Sequence, residues 1–279
     1  MIFFITAFHS EAKPLIEYFG LKKLQELSKF QIFSNADLLL IVSGEGIIRS
    51  AIATTFLLTK FSAMDKDIAL NIGICGARRK ELSKGDVLLC HKIINHHSKR
   101  VFYPDILVNH QMKEADLESF FFPVREDIFT DEIEGDVVDM EGAGFFEAAS
   151  SFLPPHNIHC IKIVYDFLIY ERIDSQEVIN LINKSIPFIE NFINALSELN
   201  LKFCINIFKE EKLKEIVEKL KNSLHLTTSM TYQLERYLKS YIIRHENLPE
   251  EISEFFNVNV KSKKEGKEYF EKLKKLLSI

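Results

Sequence analysis

The sequence predicts an α/β domain of three layers, α/β/α, built on a mixed and mainly parallel sheet, with a small all-helical C-terminal appendage. Apolar runs of strand length alternate with helical patterns over residues 1–200. These runs do not alternate between apolar and polar residues, which is typical of strands covered on both faces. The pattern changes at about Leu201 and is helical and amphipathic from there on.

The predicted elements of the first 200 residues follow one another in a regular order. Pro14 falls in the first turn of the first helix, where proline is tolerated. Asn35 and Ala36 predict a hairpin between the second and third strands. The strands are predicted at residues 2–8, 30–34, 37–43, 67–73, 87–94, 117–124, 135–140 and 158–166, and the helices at 12–18, 47–61, 141–152 and 174–198.

The change of pattern divides the chain into a domain at residues 1–200 and an appendage at 201–279. Helices of the appendage are expected at about 209–223, 227–244 and 263–277, and Thr227, Thr228 and Ser229 are favourable N-cap residues. The appendage carries 16 Lys and Arg against 12 Asp and Glu, in a chain of net charge -5. This asymmetry is too small to predict nucleic-acid binding. The appendage is expected to cover apolar surface, form a dimer contact or dock a protein partner.

Composition excludes several classes of protein. No run approaches the ~20 apolar residues of a membrane span. Residues 1–8 are apolar but short and lack the basic start of a signal peptide, so they predict a core strand. The cysteines show no metal-ligand spacing, which indicates a reduced, cytoplasmic protein without a metal site or cofactor. They are Cys75, Cys90, Cys160 and Cys204.

A strand–helix junction at residues 137–149 contains the most informative acid. Glu141 stands where the strand passes into the helix, near the positive end of the helix dipole. The helix opens with Gly142, Ala143 and Gly144, although glycine costs a helix about 1 kcal/mol relative to alanine. These small residues predict that a ligand approaches the backbone closely. The alternative is that Glu141 is only a favourable charge in the first turn.

Two further acids lie at comparable positions. Glu11 follows the first predicted strand, and Asp166 ends the last one. Because ligands of parallel α/β sheets bind beyond the carboxyl ends of the strands, Glu11, Glu141 and Asp166 are expected to meet at one site. The alternatives are a surface acid on the first helix for Glu11 and a turn-capping acid for Asp166. The glycine loop at residues 43–46 also precedes a helix, but its spacing is not that of a dinucleotide-binding loop.

Five segments together form a recognisable pattern. They are a glutamate after the first strand (Glu11), a glycine turn (43–46), an Asn-x-Gly-x-x-Gly segment (71–76), an Asp-Met-Glu signature (139–141) and a late aspartate (Asp166). In order and spacing they resemble the nucleoside phosphorylase and nucleosidase superfamily, and within it the methylthioadenosine/S-adenosylhomocysteine nucleosidases. The resemblance covers residues 1–198 and implies a nucleoside-phosphorylase-like fold. It also implies hydrolysis of the N-glycosidic bond of a purine nucleoside or related ribosyl compound.

The resemblance implies a role for each matching residue. Glu11 would orient and deprotonate the attacking water, and Asp166 would handle the proton at purine N7. Glu141 would hold the ribose hydroxyls while Met140 packs on the sugar. The backbone of residues 73–76 would line the sugar side, namely Gly73, Ile74, Cys75 and Gly76. No metal or cofactor is implied, and a homodimer that binds a small nucleoside is expected by analogy.

Several residues depart from the family pattern. Ile74 replaces a frequent Ser, and Asn71 stands where hexameric phosphorylases place a phosphate-binding Arg, which together disfavour phosphate as the nucleophile. Tyr165 replaces a frequent Ser and could fill part of the base pocket. Residues 99–124 replace the segment that contacts the purine in the family, so the sequence does not predict which base is bound. Arg49, Arg78 and Arg79 could form a phosphate site but are more simply surface charges.

Two alternatives to hydrolysis therefore remain. The first is a phosphorolytic nucleoside phosphorylase, which would depend strictly on phosphate. The second is a protein that binds a nucleoside or a partner and has lost turnover, as Ile74, the altered base segment and the appendage would allow.

Overall fold

A computed structural model describes residues 1–25, 29–124, 133–168, 173–245, 248–258, 260 and 262–277. The chain divides into two compact units, Met1–Asn200 and Leu201–Ile279. No helix within the described ranges is both long enough and apolar enough to cross a membrane.

The first unit contains ten described strands. They are β1 (Ile2–Thr6), β2 (Lys22–Lys23), β3 (Gln31–Ser34), β4 (Leu38–Val42), β5 (Ile68–Ala77), β6 (Val87–Asn95), β7 (Val101–Phe102), β8 (Lys113–Ser119), β9 (Val137–Asp139) and β10 (Ile158–Asp166). The helices are α1 (His9–Tyr18), α2 (Ile47–Lys60), α3 (Gly142–Ala149) and α4 (Ser175–Leu224), which continues into the second unit. The second unit adds α5 (Thr228–His245) and α6 (Lys263–Leu277).

The ten strands form one mixed sheet in the order β10-β6-β8-β9-β5-β1-β4-β3-β2, with β7 paired to β6. Strand β5 runs parallel to β1 and β10, whereas β10 runs antiparallel to β6 and β9 antiparallel to β5. Because β10 pairs with both β5 and β6, the strands β5, β10, β6, β8 and β9 form a closed ring. The prediction of a mixed sheet is confirmed.

Helices cover both faces of this sheet, as the three-layer prediction requires. On one face, α2 and α3 contribute Ala53, Leu57, Phe145 and Phe146 to a core with the strands. On the other face, α1 and the first part of α4 form a second core through residues that include Leu15, Val178, Ile182, Ile189 and Phe192. The apolar, non-alternating strands predicted this double cover.

Some predicted boundaries are wrong. Helix α1 begins at His9, three residues before the prediction, so Pro14 lies in its interior. The strand predicted at 117–124 runs from Lys113 to Ser119, and the short strand β7 lies outside every predicted strand. Strand β9 and helix α3 are both shorter than predicted.

The second unit is helical, as predicted, with a core of its own. Leucines near the end of α4 pack with α5, with α6 and with the 3-10 helix Glu250–Phe255, and the core includes Leu220, Leu238, Ile252, Phe270 and Leu273. The two helices predicted at 174–198 and 209–223 are one continuous helix. Residues 199–208 contain neither Gly nor Pro, the residues that most often interrupt a helix.

Candidate active site

Glu11 lies in the first turn of α1, immediately beyond the carboxyl end of β1, and its carboxylate is buried. Its Oε2 atom accepts the N–H groups of Ala7 at 2.9 Å and Phe8 at 3.0 Å. Its Oε1 atom accepts the N–H of Ile74 at 2.9 Å. These bonds fix the carboxylate between the start of α1 and strand β5. The alternative of a surface acid is therefore excluded.

Glu141 is also buried, at the residue that precedes α3. Its Oε1 atom accepts the N–H of Gly46 at 2.8 Å, so the carboxylate joins the α3 junction to the glycine loop before α2. Gly46 has φ +110°, a conformation that favours glycine. The glycine loop thus contributes a backbone donor to an acid that lies 95 residues further along the chain.

The sequence analysis missed Lys162, which is only 1 % exposed. Its Nζ atom lies 2.7 Å from Oδ2 of Asp139, and both side chains are buried. Asp139 also accepts hydrogen bonds from the Oγ hydroxyl of Ser119 at 2.5 Å and from the N–H of Gly142, the first residue of α3, at 2.8 Å. The sequence did contain a sign of this role, because Lys162 interrupts an apolar strand on the same face as the core residues Cys160 and Val164.

Asp166 ends β10 opposite Gly76 of β5. Its Oδ1 atom accepts the N–H of Leu168 at 2.8 Å, so it forms the turn that follows the strand. Its Oδ1 atom would lie 3.1 Å from a Cβ atom on Gly76, so the carboxylate stands against strand β5 at the end of the strand that carries Lys162.

Burial and mutual charge determine the protonation of this cluster. Burial raises the pKa of Glu11, although the N–H groups of Phe8 and Ile74 and the charge of Lys162 oppose the shift. Burial, and then the charge of Asp139, raises the pKa of Glu141 to about 8. Burial disfavours the charged form of Lys162, but the charges of Asp139 and Glu141 outweigh the effect of burial and raise the pKa of Lys162. Lys162 is therefore a permanent cation among carboxyl groups.

The glycines of the site allow other side chains and backbone of the protein to pack closely against them. A Cβ atom on Gly73 would lie 2.7 Å from Oε1 of Glu11, and one on Gly76 would lie 2.7 Å from Cδ2 of Leu168. A Cβ on Gly142 would lie 2.5 Å from Cδ2 of Leu117, and one on Gly144 would collide with the carbonyl oxygen of Ile47. The expectation that the small residues after Glu141 make room for a ligand is corrected, because α2 and β8 occupy that space.

The remaining predicted residues are divided between the two faces of the sheet. Cys75 is buried on the face of α2 and α3, and Met140 is half-buried beside Glu141. Ile74 packs on the opposite face, so it contributes its backbone N–H to the site. Tyr165 is buried on that opposite face too, where its hydroxyl accepts the N–H of Asp174 at 2.9 Å. This geometry does not support a role for the Tyr165 side chain in a base pocket.

Two of the three arginines considered for phosphate are engaged elsewhere. Arg78 donates to the carbonyl oxygen of Gly135 at 3.0 Å, and Arg79 pairs with Asp136 at 3.1 Å. Arg49 is exposed and folds over Gly44 of the glycine loop. Within the described ranges, no group of three or more His, Cys, Asp or Glu side chains could hold a metal ion.

Solved structures of the same fold are numerous. A 5'-methylthioadenosine/S-adenosylhomocysteine nucleosidase from Helicobacter pylori superposes with a TM-score of 0.59 at 18% identity, over 69% of this chain and 97% of that one. The chain has the fold of these nucleosidases. A futalosine hydrolase of Helicobacter pylori matches with a TM-score of 0.58 at 18% identity, over 69% of this chain and 98% of that one. The Streptococcus pneumoniae nucleosidase, solved with a transition-state inhibitor, matches with a TM-score of 0.57 at 20% identity, over 70% of this chain and 99% of that one.

Sequence comparison points to the same nucleosidases over a short stretch. Over 64 residues the chain is 34% identical to a 5'-methylthioadenosine/S-adenosylhomocysteine nucleosidase of Marinomonas sp. (strain MWYL1). The match covers 23% of this chain and about a quarter, 26%, of the curated relative. No protein-family model matches the chain.

Proposed function

We propose that the first unit hydrolyses the N-glycosidic bond of a purine nucleoside or a related ribosyl compound. The observation that carries the proposal is the buried group of Glu11, Glu141, Asp139 and Lys162, whose charges act on one another, with Asp166 at the end of the strand that carries Lys162. The nucleosidases and the futalosine hydrolase that share the fold support the same class of reaction.

The charge of the cluster suits this chemistry. Cleavage of a glycosidic bond passes through a sugar with the character of an oxocarbenium ion, which is positively charged. Carboxyl groups held in fixed positions can stabilise such a charge in a site that excludes water, through their oxygen dipoles when protonated and through full charge when ionised. Lys162 limits their mutual repulsion and holds Asp139 in place.

Glu11 is the proposed base for the attacking water. Three backbone N–H groups orient its carboxylate, and its raised pKa makes it a stronger base than an ordinary carboxylate. Asp166 is the proposed acid for the purine nitrogen, because it lies at the carboxyl end of β10, which runs parallel to β5 as β1 does. Acid–base groups of this kind contribute about 10²–10⁴-fold to a rate.

Glu141 and Met140 are proposed to hold the ribose. Burial and the charge of Asp139 raise the pKa of Glu141 to about 8, so its carboxyl group binds a proton more readily than an ordinary one and can then donate as well as accept a hydrogen bond. A ribose hydroxyl offers both a donor and an acceptor to such a group. The backbone of residues 73–76 is proposed to line the same sugar.

Phosphorolysis is the second candidate, and Arg49 is the observation that favours it. Its guanidinium lies against Gly44 in the loop that also binds Glu141. Water is the better nucleophile for this site, because a phosphate dianion would meet buried carboxyl groups, and the ammonium of Lys162 is already bound to Asp139.

A homodimer is also proposed. Ile48 and Ile52 lie one helical turn apart on α2 and are 64% and 55% exposed. Light scattering should give twice the mass of the chain for the wild type and a lower mass for Ile48→Glu. A wild-type monomer would refute the dimer.

The test is a panel of nucleosides, incubated with and without phosphate and analysed by chromatography. Release of a base without phosphate is expected, and Glu11→Gln and Asp166→Asn should each lower kcat by about 10²–10⁴-fold. Glu17→Gln, an exposed acid on the same helix as Glu11, serves as the matched control and should retain activity. Turnover that both variants leave unchanged would refute the assignment. Strict dependence on phosphate would indicate a phosphorylase, and binding without product would indicate a binding protein.

A further inference from the structure

A fully buried carboxylate lies outside the acidic cluster, on Glu118 near the end of β8. Its Oε2 atom accepts the N–H groups of Glu134 at 2.6 Å and Gly135 at 2.9 Å. Its Oε1 atom lies 2.6 Å from Nδ1 of His96. Burying a carboxylate costs free energy unless its oxygens are hydrogen-bonded, so these three bonds explain why Glu118 can be buried at this position.

Two of these bonds hold the chain where it enters β9. A Cβ atom on Gly135 would lie 2.8 Å from Cβ of Glu118, so the fit requires glycine at this position. Strand β9 begins two residues later, pairs with β8 so that Glu118 lies opposite Val138, and leads directly to Glu141. The neighbouring residue, Ser119, binds the far end of β9 through Asp139.

The third bond connects Glu118 to the turn that contains Asp166. The ring of His96 stacks on Phe120 with centroids 4.0 Å apart and an interplanar angle of 26°. Phe120 packs in a small core with Val138 and Leu168. The N–H of Leu168 in turn binds Asp166. Glu118 therefore contacts the segment that enters β9 directly, and His96 is connected to the 166–168 turn through Phe120.

We propose that Glu118 and His96 form a positioning pair that holds β9 and the 166–168 turn in the geometry that the active site needs. The inference rests on the proposed function, since the residues it positions are those proposed to bind and protonate the nucleoside. Both residues act through β9 and Phe120.

The design uses one disruptive and one conservative variant. Glu118→Ala removes all three bonds. Glu118→Gln keeps an oxygen for the two backbone N–H groups, and its amide can donate to Nδ1 of His96 when the imidazole carries its proton on Nε2. Asn157→Ala is the matched control, because Asn157 is fully buried, binds the carbonyl oxygen of Asp65 and the amide of Asn200, and lies before the opposite end of β10.

The first measurement is hydrogen exchange over residues 134–143, which does not depend on activity. Glu118→Ala should speed exchange there by about tenfold or more, whereas Glu118→Gln and Asn157→Ala should retain the wild-type rate. Unchanged exchange in Glu118→Ala would overturn the proposal. If that variant does not fold, His96→Ala tests the pair through the same region.

The second measurement is kinetic. On a nucleoside that the wild type cleaves, Glu118→Ala should lower kcat by about 10–100-fold, since misplacement by about 1 Å can cost this much, with a smaller change in KM. Glu118→Gln should restore kcat. Equal kcat in Glu118→Ala and the wild type would overturn the proposal. If the wild type cleaves no nucleoside, the proposed function fails, and hydrogen exchange alone decides the positioning role.

Discussion

The two units of the chain bury different kinds of side chain. The first unit buries acids, amides, hydroxyls, an imidazole and the ammonium of Lys162, and the acids that carry the proposed chemistry gather at one edge of its sheet. Among the described residues of the second unit, every buried side chain is apolar. The second unit therefore follows the ordinary rule for a stable core, whereas the first departs from it, most densely in the cluster around Lys162.

The departure is informative because buried charge rarely improves stability. A buried ion pair often contributes no more than a well-packed apolar pair of the same volume. The raised pKa values of Glu11 and Glu141 mean that ionising these acids costs free energy in the folded protein. Such clusters are found where a site needs them, so the contrast between the units indicates where the chemistry lies.

The largest expected effect on stability comes from removing the buried ammonium. Lys162→Met should lower the free energy of unfolding by about 3–5 kcal/mol, because Asp139 would lose its cation while remaining buried. The matched change in the second unit, Lys221→Met, breaks an exposed pair with Glu218 and should cost about 0–1 kcal/mol. Urea denaturation measures both. Equal losses would remove the electrostatic contrast between the units.

The second unit should instead be sensitive to lost apolar volume. Leu273 is fully buried in its core, so Leu273→Ala should cost about 2–5 kcal/mol. Leu201 is 62% exposed, and Leu201→Ala should change stability by only about 0.5 kcal/mol. Hydrogen exchange over residues 213–277 reports the loss. A core that tolerates Leu273→Ala without faster exchange would contradict the account of the second unit.

A further expected effect is a dependence of stability on pH that originates at Glu141. Its pKa rises from the ordinary 4.5 to about 8 in the folded protein, so its contribution to stability is complete below 4.5 and is lost as the pH rises through 8. Glu141→Gln retains an acceptor for the N–H of Gly46 but does not titrate. Between about pH 5 and pH 9, the Tm of the wild type should fall clearly more than that of Glu141→Gln. Parallel curves for the two proteins would show that Glu141 has an ordinary pKa.

The sequence was most informative where local pattern and tertiary structure agree. Strand β10 has the predicted bounds, and the helical second part was apparent from its amphipathic periodicity. Helix α1 begins early because the carboxylate of Glu11 binds the N–H groups of Ala7 and Phe8, a contact that periodicity does not reveal.

The site was harder to predict than the fold, because its details depend on contacts between distant segments. The glycines at 73, 142 and 144 are needed by Glu11, Leu117 and Ile47, residues that lie elsewhere in the sequence. The roles of Lys162 and Glu118 depend on which face of a strand they occupy and on which partner meets them there. Such partners become visible only when the strands are paired.

The most direct test of the central claim follows the oxygen that replaces the base. The protein is incubated with a nucleoside in phosphate-free buffer made with heavy-oxygen water, and the free sugar is analysed by mass spectrometry. The account predicts release of the base and one heavy oxygen on the sugar, with both abolished in a variant that combines Glu11→Gln with Asp166→Asn. A sugar phosphate formed only when phosphate is added, or release of the base that survives both substitutions, would contradict it.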